Sequence, residues 1–124
     1  MDSEVSIEKY RRQIEAALEY AGGTHTFEDV AEAVADGRMQ FWPGKESVII
    51  TEIATYPQRP KVLHFFLAGG SMQEMEAMEP VICEWGRSIG CTHAEFTGRR
   101  GWERTFLARH RWKNSGLVVL SREL

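Results

Sequence analysis

The chain has 124 residues, of which 43% are hydrophobic and 27% charged, and its net charge is −3. This composition supplies one hydrophobic core of ordinary domain size, so neither a disulfide nor a metal is needed to hold the fold. No apolar stretch approaches the ~20 residues that span a membrane, and residues 1–4 are too polar to begin a signal peptide. We therefore expect a single-domain, cytoplasmic protein without a membrane segment.

Cysteine and histidine are spaced without a metal-binding pattern. Cys83 and Cys91 match neither a zinc motif nor a redox motif, and we expect them to be small apolar residues in a reducing compartment. The four histidines lack the paired spacing of a zinc site. They are His25, His64, His93 and His110. We expect no metal.

Charge is divided unevenly along the chain. Residues 1–37 hold nine acidic and three basic residues, whereas residues 98–113 hold six basic residues and one acidic residue. Such polarity can steer an anionic partner. It is equally typical of solvated helix faces with a few ion pairs, and the sequence leaves both interpretations open.

Two helices are predicted first in chain order. Apolar residues between Ile7 and Leu18 recur at helical spacing, and Gly22 ends that helix. Thr26 is a favourable N-cap for a second helix, because its side chain can accept a hydrogen bond from the first turn. This second helix ends at Gly37.

Two strands are predicted after a turn at residues 41–44. Residues 47–54 are rich in β-branched side chains, and residues 62–67 form an unbroken apolar run. Residues 56–60, which contain two prolines, predict a hairpin turn between them. Because a continuous apolar run is typical of a strand covered on both faces, residues 62–67 are predicted to form the central strand.

A long helix is predicted after a tight turn at residues 68–70. Residues 72–89 carry apolar side chains at steps of three and four, and Ser71 with Glu74 predicts a capping box at its start. Pro80 lies inside this helix. It predicts a kink or a break, because proline lacks the N–H donor and clashes with the preceding turn.

The remaining predicted elements are a strand, a short helix and a last strand. The strands are residues 91–96 and 117–121, and the helix between them runs from Trp102 to about His110. A helix that joins two strands implies a parallel crossover, whereas the hairpin is antiparallel. The sheet should therefore be mixed.

The order of elements over residues 26–124 resembles the fold of the GNAT acetyltransferases. Residues 66–70 (Phe-Leu-Ala-Gly-Gly) and 97–102 (Thr-Gly-Arg-Arg-Gly-Trp) are similar to small GNAT-like proteins encoded by tailed phages and prophages. The resemblance implies an α/β (α+β) fold, with one domain over residues 1–124 and a mixed sheet flanked by helices. Residues 1–23 would form an N-terminal helix before the GNAT-like core.

The resemblance also implies a cofactor loop. GNAT proteins hold the diphosphate of acetyl-CoA on backbone N–H groups at the start of the long helix, which is a natural anion site. The matching residues of this chain are Ala68, Gly69, Gly70 and Ser71. The family's arginine is absent from this loop, and three carboxylates that would repel a diphosphate follow it. These are Glu74, Glu76 and Glu79.

Two arginines can compensate for the missing one only if they fold toward this loop. Arg99 and Arg100 follow the strand expected beside residues 62–67, so they are the cations best placed to bind acetyl-CoA phosphates. The family's general acid, a tyrosine, has no counterpart. Trp112 matches the final aromatic residue of the family's Gly-Phe ending, which puts Leu107 at the tyrosine position and Arg111 at the glycine position.

Three residues on predicted strands are candidates for a general base toward an amine. They are Glu52, His64 and Glu95. A carboxylate or an imidazole on a central strand can accept the proton that an amine loses during acyl transfer. Each is also explained by an ordinary structural role, since a lone histidine in an apolar run commonly makes hydrogen bonds within the core.

The four tryptophans are open to two interpretations. Trp85 has helical spacing and is predicted to lie in the core, whereas Trp102 and Trp112 lie among arginines and can form stacked arginine–indole surfaces. A mixture of aromatic and basic residues is also found in nucleic-acid-binding proteins. The acidic net charge and the lack of a nucleic-acid-binding motif argue against that partner.

Three functions remain compatible with the sequence. The first is a degenerate GNAT-like protein of phage type that binds a phage or host protein, as a virion component or as a modulator in the host cytoplasm. The second is an active N-acyltransferase that transfers an acetyl group from acetyl-CoA to an amine. The third is an interaction domain unrelated to that family. The sequence is also compatible with a homo-oligomer.

Overall fold

The computed structural model describes residues 6–124 as a four-stranded mixed sheet with helices on both faces. The strands are β1 (Met39–Pro43), β2 (Val48–Tyr56), β3 (Arg59–Gly69) and β4 (His93–Phe96), and they lie side by side in that order. β1 and β3 both pair with β2 in antiparallel fashion, and β3 pairs with β4 in parallel. The prediction of an α+β fold with a mixed sheet is confirmed.

Two helices precede the sheet. A 3-10 turn, Ile7–Tyr10, leads into α1 (Arg11–Leu18), and α2 spans Phe27–Ala35. Thr26 caps α2 as predicted: its hydroxyl accepts from the N–H of Asp29 while the Asp29 carboxylate accepts from the N–H of Thr26. None of the helices within residues 6–124 is long and apolar enough to cross a membrane.

The long helix α3 (Met72–Ser88) continues through Pro80, so the predicted break is wrong. Met75 before the proline and Ile82 after it are both buried against the sheet, and this packing holds the two halves of the helix in place. Close approach to β3 depends on Gly86, because a Cβ there would lie 2.9 Å from the Leu63 side chain.

A β-bulge interrupts the pairing of the central strand. Ile50 pairs with Leu67, whereas Thr51 pairs with Phe65, which leaves Phe66 without a partner residue on β2. β3 lies between β2 and β4, as predicted from its continuous apolar run. A bulge re-aims side chains locally, and this one lies two residues after His64.

Each face of the sheet carries its own hydrophobic core. On one face α1 and α2 cover alternate residues of the strands, including Val48, Ile50 and Leu67. On the other face α3 covers the intervening residues, including Ile49 and Leu63. The alternation follows from the period of two in a strand, which sends successive side chains to opposite faces.

The predicted turn at residues 41–44 is wrong for its first three residues, which belong to β1. Phe41 pairs with Ile50 and Trp42 with Ile49, so pairing with a distant strand overrides the local preference for a turn. Trp102 and Trp112 also differ from the prediction of arginine–indole surfaces. Both rings pack on Phe96, with centroids 4.7 and 6.4 Å away.

The region after β4 departs most from the sequence-based prediction. The single short helix is divided into a 3-10 turn, Arg100–Arg104, and α4, Phe106–Arg109. Residues 117–121 form no strand, and Leu117 to Leu120 are between 79% and 89% exposed. A strand exists only through hydrogen bonds to a neighbour. This β-forming segment has none within the described part of the chain.

Candidate functional site

The structure places Glu52, His64 and Glu95 side by side on one face of the sheet. Glu52 of β2 lies opposite His64 of β3, and His64 lies opposite Glu95 of β4. Residues that are directly opposite across neighbouring strands point to the same side. The three residues predicted from the sequence as candidates for a general base therefore form one polar row. Their catalytic roles stay predictions.

His64 uses both ring nitrogens in this row. Its Nδ1 lies 2.8 Å from Glu52 Oε2, and its Nε2 lies 2.8 Å from the hydroxyl oxygen of Thr97. An ionised carboxylate only accepts, so Nδ1 carries the proton and donates to Glu52. In the neutral ring Nε2 then accepts from the Thr97 hydroxyl. The result is a directed chain from hydroxyl to imidazole to carboxylate.

Glu95 and Tyr56 extend the row. The Tyr56 hydroxyl donates to Glu95 Oε1 over 3.2 Å, and this hydrogen bond, together with the negative charge of Glu95, raises the pKa of Tyr56. Tyr56 is therefore a hydrogen-bond donor at neutral pH, and the raised pKa makes it a weaker acid than a free tyrosine. Sequence reasoning missed Tyr56 and Thr97. The available signal was spacing, since Tyr56 is four residues from Glu52 and Thr97 two from Glu95.

The row is accessible to solvent and flanked by aromatic rings. The side chain of His64 is 16% exposed and that of Glu52 is 34% exposed, and Thr97 is an exposed residue. Phe66 of the bulge packs against the ring of His25 at 4.8 Å. The arrangement can accept a proton at His64 Nε2 from Thr97 or from an amine that replaces the Thr97 hydroxyl, with Glu52 stabilising the resulting imidazolium.

The predicted cofactor loop is largely occupied by the protein itself. Ala68 and Gly69 are the last residues of β3, and Gly70 has a φ of +127°, which favours glycine. A Cβ on Gly70 would lie 2.5 Å from the backbone of Glu46 and Ser47. The turn between β1 and β2 therefore packs directly against this loop.

Polar groups at the start of α3 are also satisfied internally. The Ser71 hydroxyl accepts from the N–H of Glu74, and the Ser71 N–H donates to the Ser47 hydroxyl over 2.8 Å. The Glu74 carboxylate accepts from the N–H groups of Lys45 and Glu46, at 2.5 and 3.1 Å. The predicted capping box is thus half formed, because Glu74 reaches across to this turn and does not return to Ser71.

The two candidate arginines make their contacts elsewhere. The Arg99 guanidinium lies 3.9 Å from the centre of the Tyr20 ring, and Arg100 faces Glu103 at 3.5 Å. Within residues 6–124 neither forms a hydrogen bond or an ion pair with residues 68–71. The structure therefore does not join the two halves of the predicted cofactor site.

Comparison of the chain with protein-family models, with curated proteins and with solved structures finds no match. The resemblance to GNAT proteins accordingly stays a prediction. At the position of the family's tyrosine, Leu107 is buried and packs with the core on the α3 face. At the position of the family's glycine, Arg111 has a φ of +72°, the only non-glycine residue with positive φ in the described chain.

A second polar cluster, missed from the sequence, lies between α3 and α4. The buried carboxylate of Glu79 contacts His110 Nδ1, and it accepts from Trp112 Nε1 at 3.3 Å and from the Cys83 thiol at 3.1 Å. Burial raises the pKa of Cys83 to about 12, and the hydrogen bond to Glu79 adds to that effect. Cys83 is therefore a poor nucleophile, and the cluster joins two helices.

Two hollows in the surface lie away from the His64 row. One is a groove of about 100 Å3 between α3 and β4, and the other is an open depression between α1 and α2. Neither is lined by Glu52, His64 or Thr97. Among residues 6–124, no group of three or more metal-binding side chains converges. The polar row therefore lies on the surface, and neither of these two hollows encloses it.

Proposed function

We propose that this chain is a GNAT-like protein of phage type that works by binding a protein partner and does not transfer acetyl groups. The observation that carries the proposal is the occupied start of α3. A diphosphate needs free N–H groups at a helix N-terminus. Here Ser71 and Glu74 take part in hydrogen bonds with the turn at residues 45–47, and the Glu74 carboxylate adds negative charge where phosphate would lie.

Two further observations support this proposal. Buried Leu107 cannot donate a proton to a leaving thiolate, so the family's acid is missing from its expected place. Arg111 adopts a backbone conformation that favours glycine, at the position where the resemblance expects glycine. The chain thus keeps a feature of the backbone at this place while lacking the chemistry, as expected of a degenerate relative.

Calorimetric titration with acetyl-CoA tests the proposal. We expect no saturable heat, because the N–H groups of Ser71 and Glu74 are already hydrogen-bonded and the Glu74 carboxylate repels phosphate at this helix end. Saturable binding that weakens with salt and is lost in an Arg99→Ala, Arg100→Ala double variant, accompanied by acetylation of an amine, would contradict it. An Arg38→Ala, Arg122→Ala double variant is the matched control, since it removes the same charge from exposed positions elsewhere in the sequence.

The proposed partner is a phage or host protein, and the chain would be found either in the virion or in the host cytoplasm. A virion component is present at a fixed copy number in purified particles, which quantitative mass spectrometry measures. A modulator of a host protein is absent from particles and remains in the host cytoplasm in a complex of defined stoichiometry. The choice between them rests on the resemblance, and a chain that is both absent from particles and free of host partners would contradict the binding function.

The second candidate function is an N-acyltransferase, and the Glu52–His64 pair favours it. His64 Nε2 has its lone pair directed at Thr97, at the position from which an amine can deliver a proton. Tyr56 supplies a protonated hydroxyl on the same face. Acetyl transfer from acetyl-CoA to small primary amines, measured by thiol release, should then fall at least tenfold in His64→Gln. The exposed His93→Gln is the control.

A further inference from the structure

Residues 117–120, Leu-Val-Val-Leu, present four consecutive aliphatic side chains to solvent. Their exposed fractions are 82%, 79%, 88% and 89%. Aliphatic and β-branched residues in a run of this length are typical of a buried strand. Scattered apolar residues on a surface are ordinary, but a continuous exposed run marks an interaction site. We call residues 117–120 the apolar segment.

The linker before the apolar segment is fastened to the body of the protein. The Trp112 ring packs edge-on against Phe65 at 5.4 Å, and its backbone N–H donates to the Leu107 carbonyl. Asn114 then donates to Glu103 over 3.3 Å and accepts from the Gly116 N–H over 2.7 Å. The apolar segment therefore leaves from a fixed point, and it stands clear of its own sheet.

The sheet carries a free edge of matching length. β4 has four residues and pairs on one side with β3, and no strand within residues 6–124 pairs with its other side. His93 and Ala94 of β4 are exposed. The groove of about 100 Å3 between α3 and β4 is lined by these two residues and by the apolar groups of Leu63 and Cys83. A free edge binds an added strand through main-chain hydrogen bonds, and a neighbouring pocket receives one of its side chains.

We propose that the apolar segment adds to the free edge of β4 in a second copy of this chain, and that the exchange is reciprocal. In the resulting two-fold dimer the two apolar segments lie next to each other between the two β4 strands. Each then lies two strand spacings, ~10 Å, from its own β4. The four linker residues 113–116 span up to ~14 Å when extended, so the dimer forms with the hydrogen bond between Asn114 and the Gly116 N–H opened. Reciprocal exchange closes the assembly at two copies.

Light scattering after size-exclusion chromatography tests this dimer. We expect the wild type to have twice the 14.2 kDa mass of the chain. Val119→Pro should halve that mass, because proline removes a main-chain donor and is poorly tolerated within a sheet. Val119 is exposed and outside regular structure, so the substitution leaves the fold intact. Glu123→Pro, also exposed and outside regular structure, is the control that keeps the dimer.

Amide hydrogen exchange distinguishes pairing of the apolar segment with a second copy from pairing within one chain. Amides of residues 117–120 should be protected in the wild type, and their protection should fall on dilution and in Val119→Pro. A monomeric wild type overturns the proposal, whether these amides exchange freely or are protected by the chain's own β4. A dimer that persists in Val119→Pro also overturns it, because the interface then lies elsewhere. The test does not depend on whether the protein binds acetyl-CoA.

Discussion

Two glutamate–histidine pairs lie in this molecule, and they differ in what surrounds the carboxylate. Glu79 is 8% exposed in its side chain and contacts three groups: His110, Trp112 and Cys83. Glu52 is 34% exposed and contacts His64, whose other nitrogen meets an exposed hydroxyl. Glu79 and His110 thus form a structural joint, in which the hydrogen-bonding capacity of the carboxylate is used within the protein. Glu52 and His64 form a chemically available pair, because one ring nitrogen of His64 faces a solvent-accessible group.

The largest expected effect comes from the core on the α3 face of the sheet. Phe65 follows His64 on β3 but faces α3, where it is 2% exposed and contacts Phe96 and Trp112. Phe65→Ala should lower the free energy of unfolding by about 3–5 kcal/mol, because it leaves a cavity. Urea denaturation measures this loss. Val81→Ala, on an exposed face of α3, should change stability by less than about 0.5 kcal/mol.

Breaking the buried pair should have the next largest effect. Glu79→Ala removes the acceptor of His110 and Trp112 and should cost about 3 kcal/mol, because these partly buried donors lose their partner. Glu76→Ala, from the same helix, is a variant for comparison. Because Glu76 also contacts His110 Nε2 at 3.4 Å, its loss should have an intermediate effect. The clean control is Glu84→Ala, whose exposed ion pair with Arg87 should cost less than about 1 kcal/mol when it is lost. Equal losses in Glu79→Ala and Glu84→Ala would refute the structural role of Glu79.

The sequence was sufficient for elements whose signal is local. The apolar run at residues 62–67 predicted the central strand, and helical spacing predicted α3. β1 was missed because Phe-Trp-Pro-Gly has the local preferences of a turn, whereas its strand pairing depends on β2, which lies later in the chain. The apolar segment shows the opposite error: its local pattern predicted a strand, but no strand pairs with it in the described part of the chain.

The candidate site was predictable residue by residue but not as an arrangement. Glu52, His64 and Glu95 stood out as polar residues on apolar strands, yet their alignment depends on strand register. The hairpin turn was predicted at residues 56–60, but the bulge at Phe66 also sets that register, and it carries no local signal. The Glu79–His110 contact joins residues 31 positions apart, so it carries no local signal.

The accessible pair should contribute little to stability. A double-mutant cycle with Glu52→Gln and His64→Gln should give a coupling energy of about 0.5–1 kcal/mol, as for partly exposed pairs. Urea unfolding of the wild type, both single variants and the double variant measures it. A coupling energy above about 2 kcal/mol would mean that this pair is a structural joint like Glu79–His110, and the contrast between the two pairs would fail.

The smallest expected effect concerns the reactivity of the Cys83 thiol, which lies beside the Glu79–His110 pair. Burial, and then the hydrogen bond and charge of Glu79, raise the pKa of Cys83 to about 12. The thiolate is the reactive form, so alkylation of Cys83 near neutral pH should be slow. Burial also raises the pKa of Cys91, but nearby Lys61 opposes that shift. Cys91 should therefore react first, as peptide mass spectrometry after timed iodoacetamide treatment would show.

Glu79→Gln isolates the contribution of the carboxylate to Cys83. The substitution keeps the shape of the side chain and removes its charge, so the pKa of Cys83 should fall while burial keeps it above an ordinary thiol value. Because the raised pKa favours the neutral thiol in the folded state, its stabilising effect is complete below the ordinary pKa and is lost as pH rises toward 12. Faster alkylation of Cys83, with Cys91 unchanged as the internal control, is the expected result. An unchanged rate of Cys83 alkylation in a folded variant would mean that burial alone keeps the thiol protonated. The Glu79 carboxylate would then act only on His110 and Trp112.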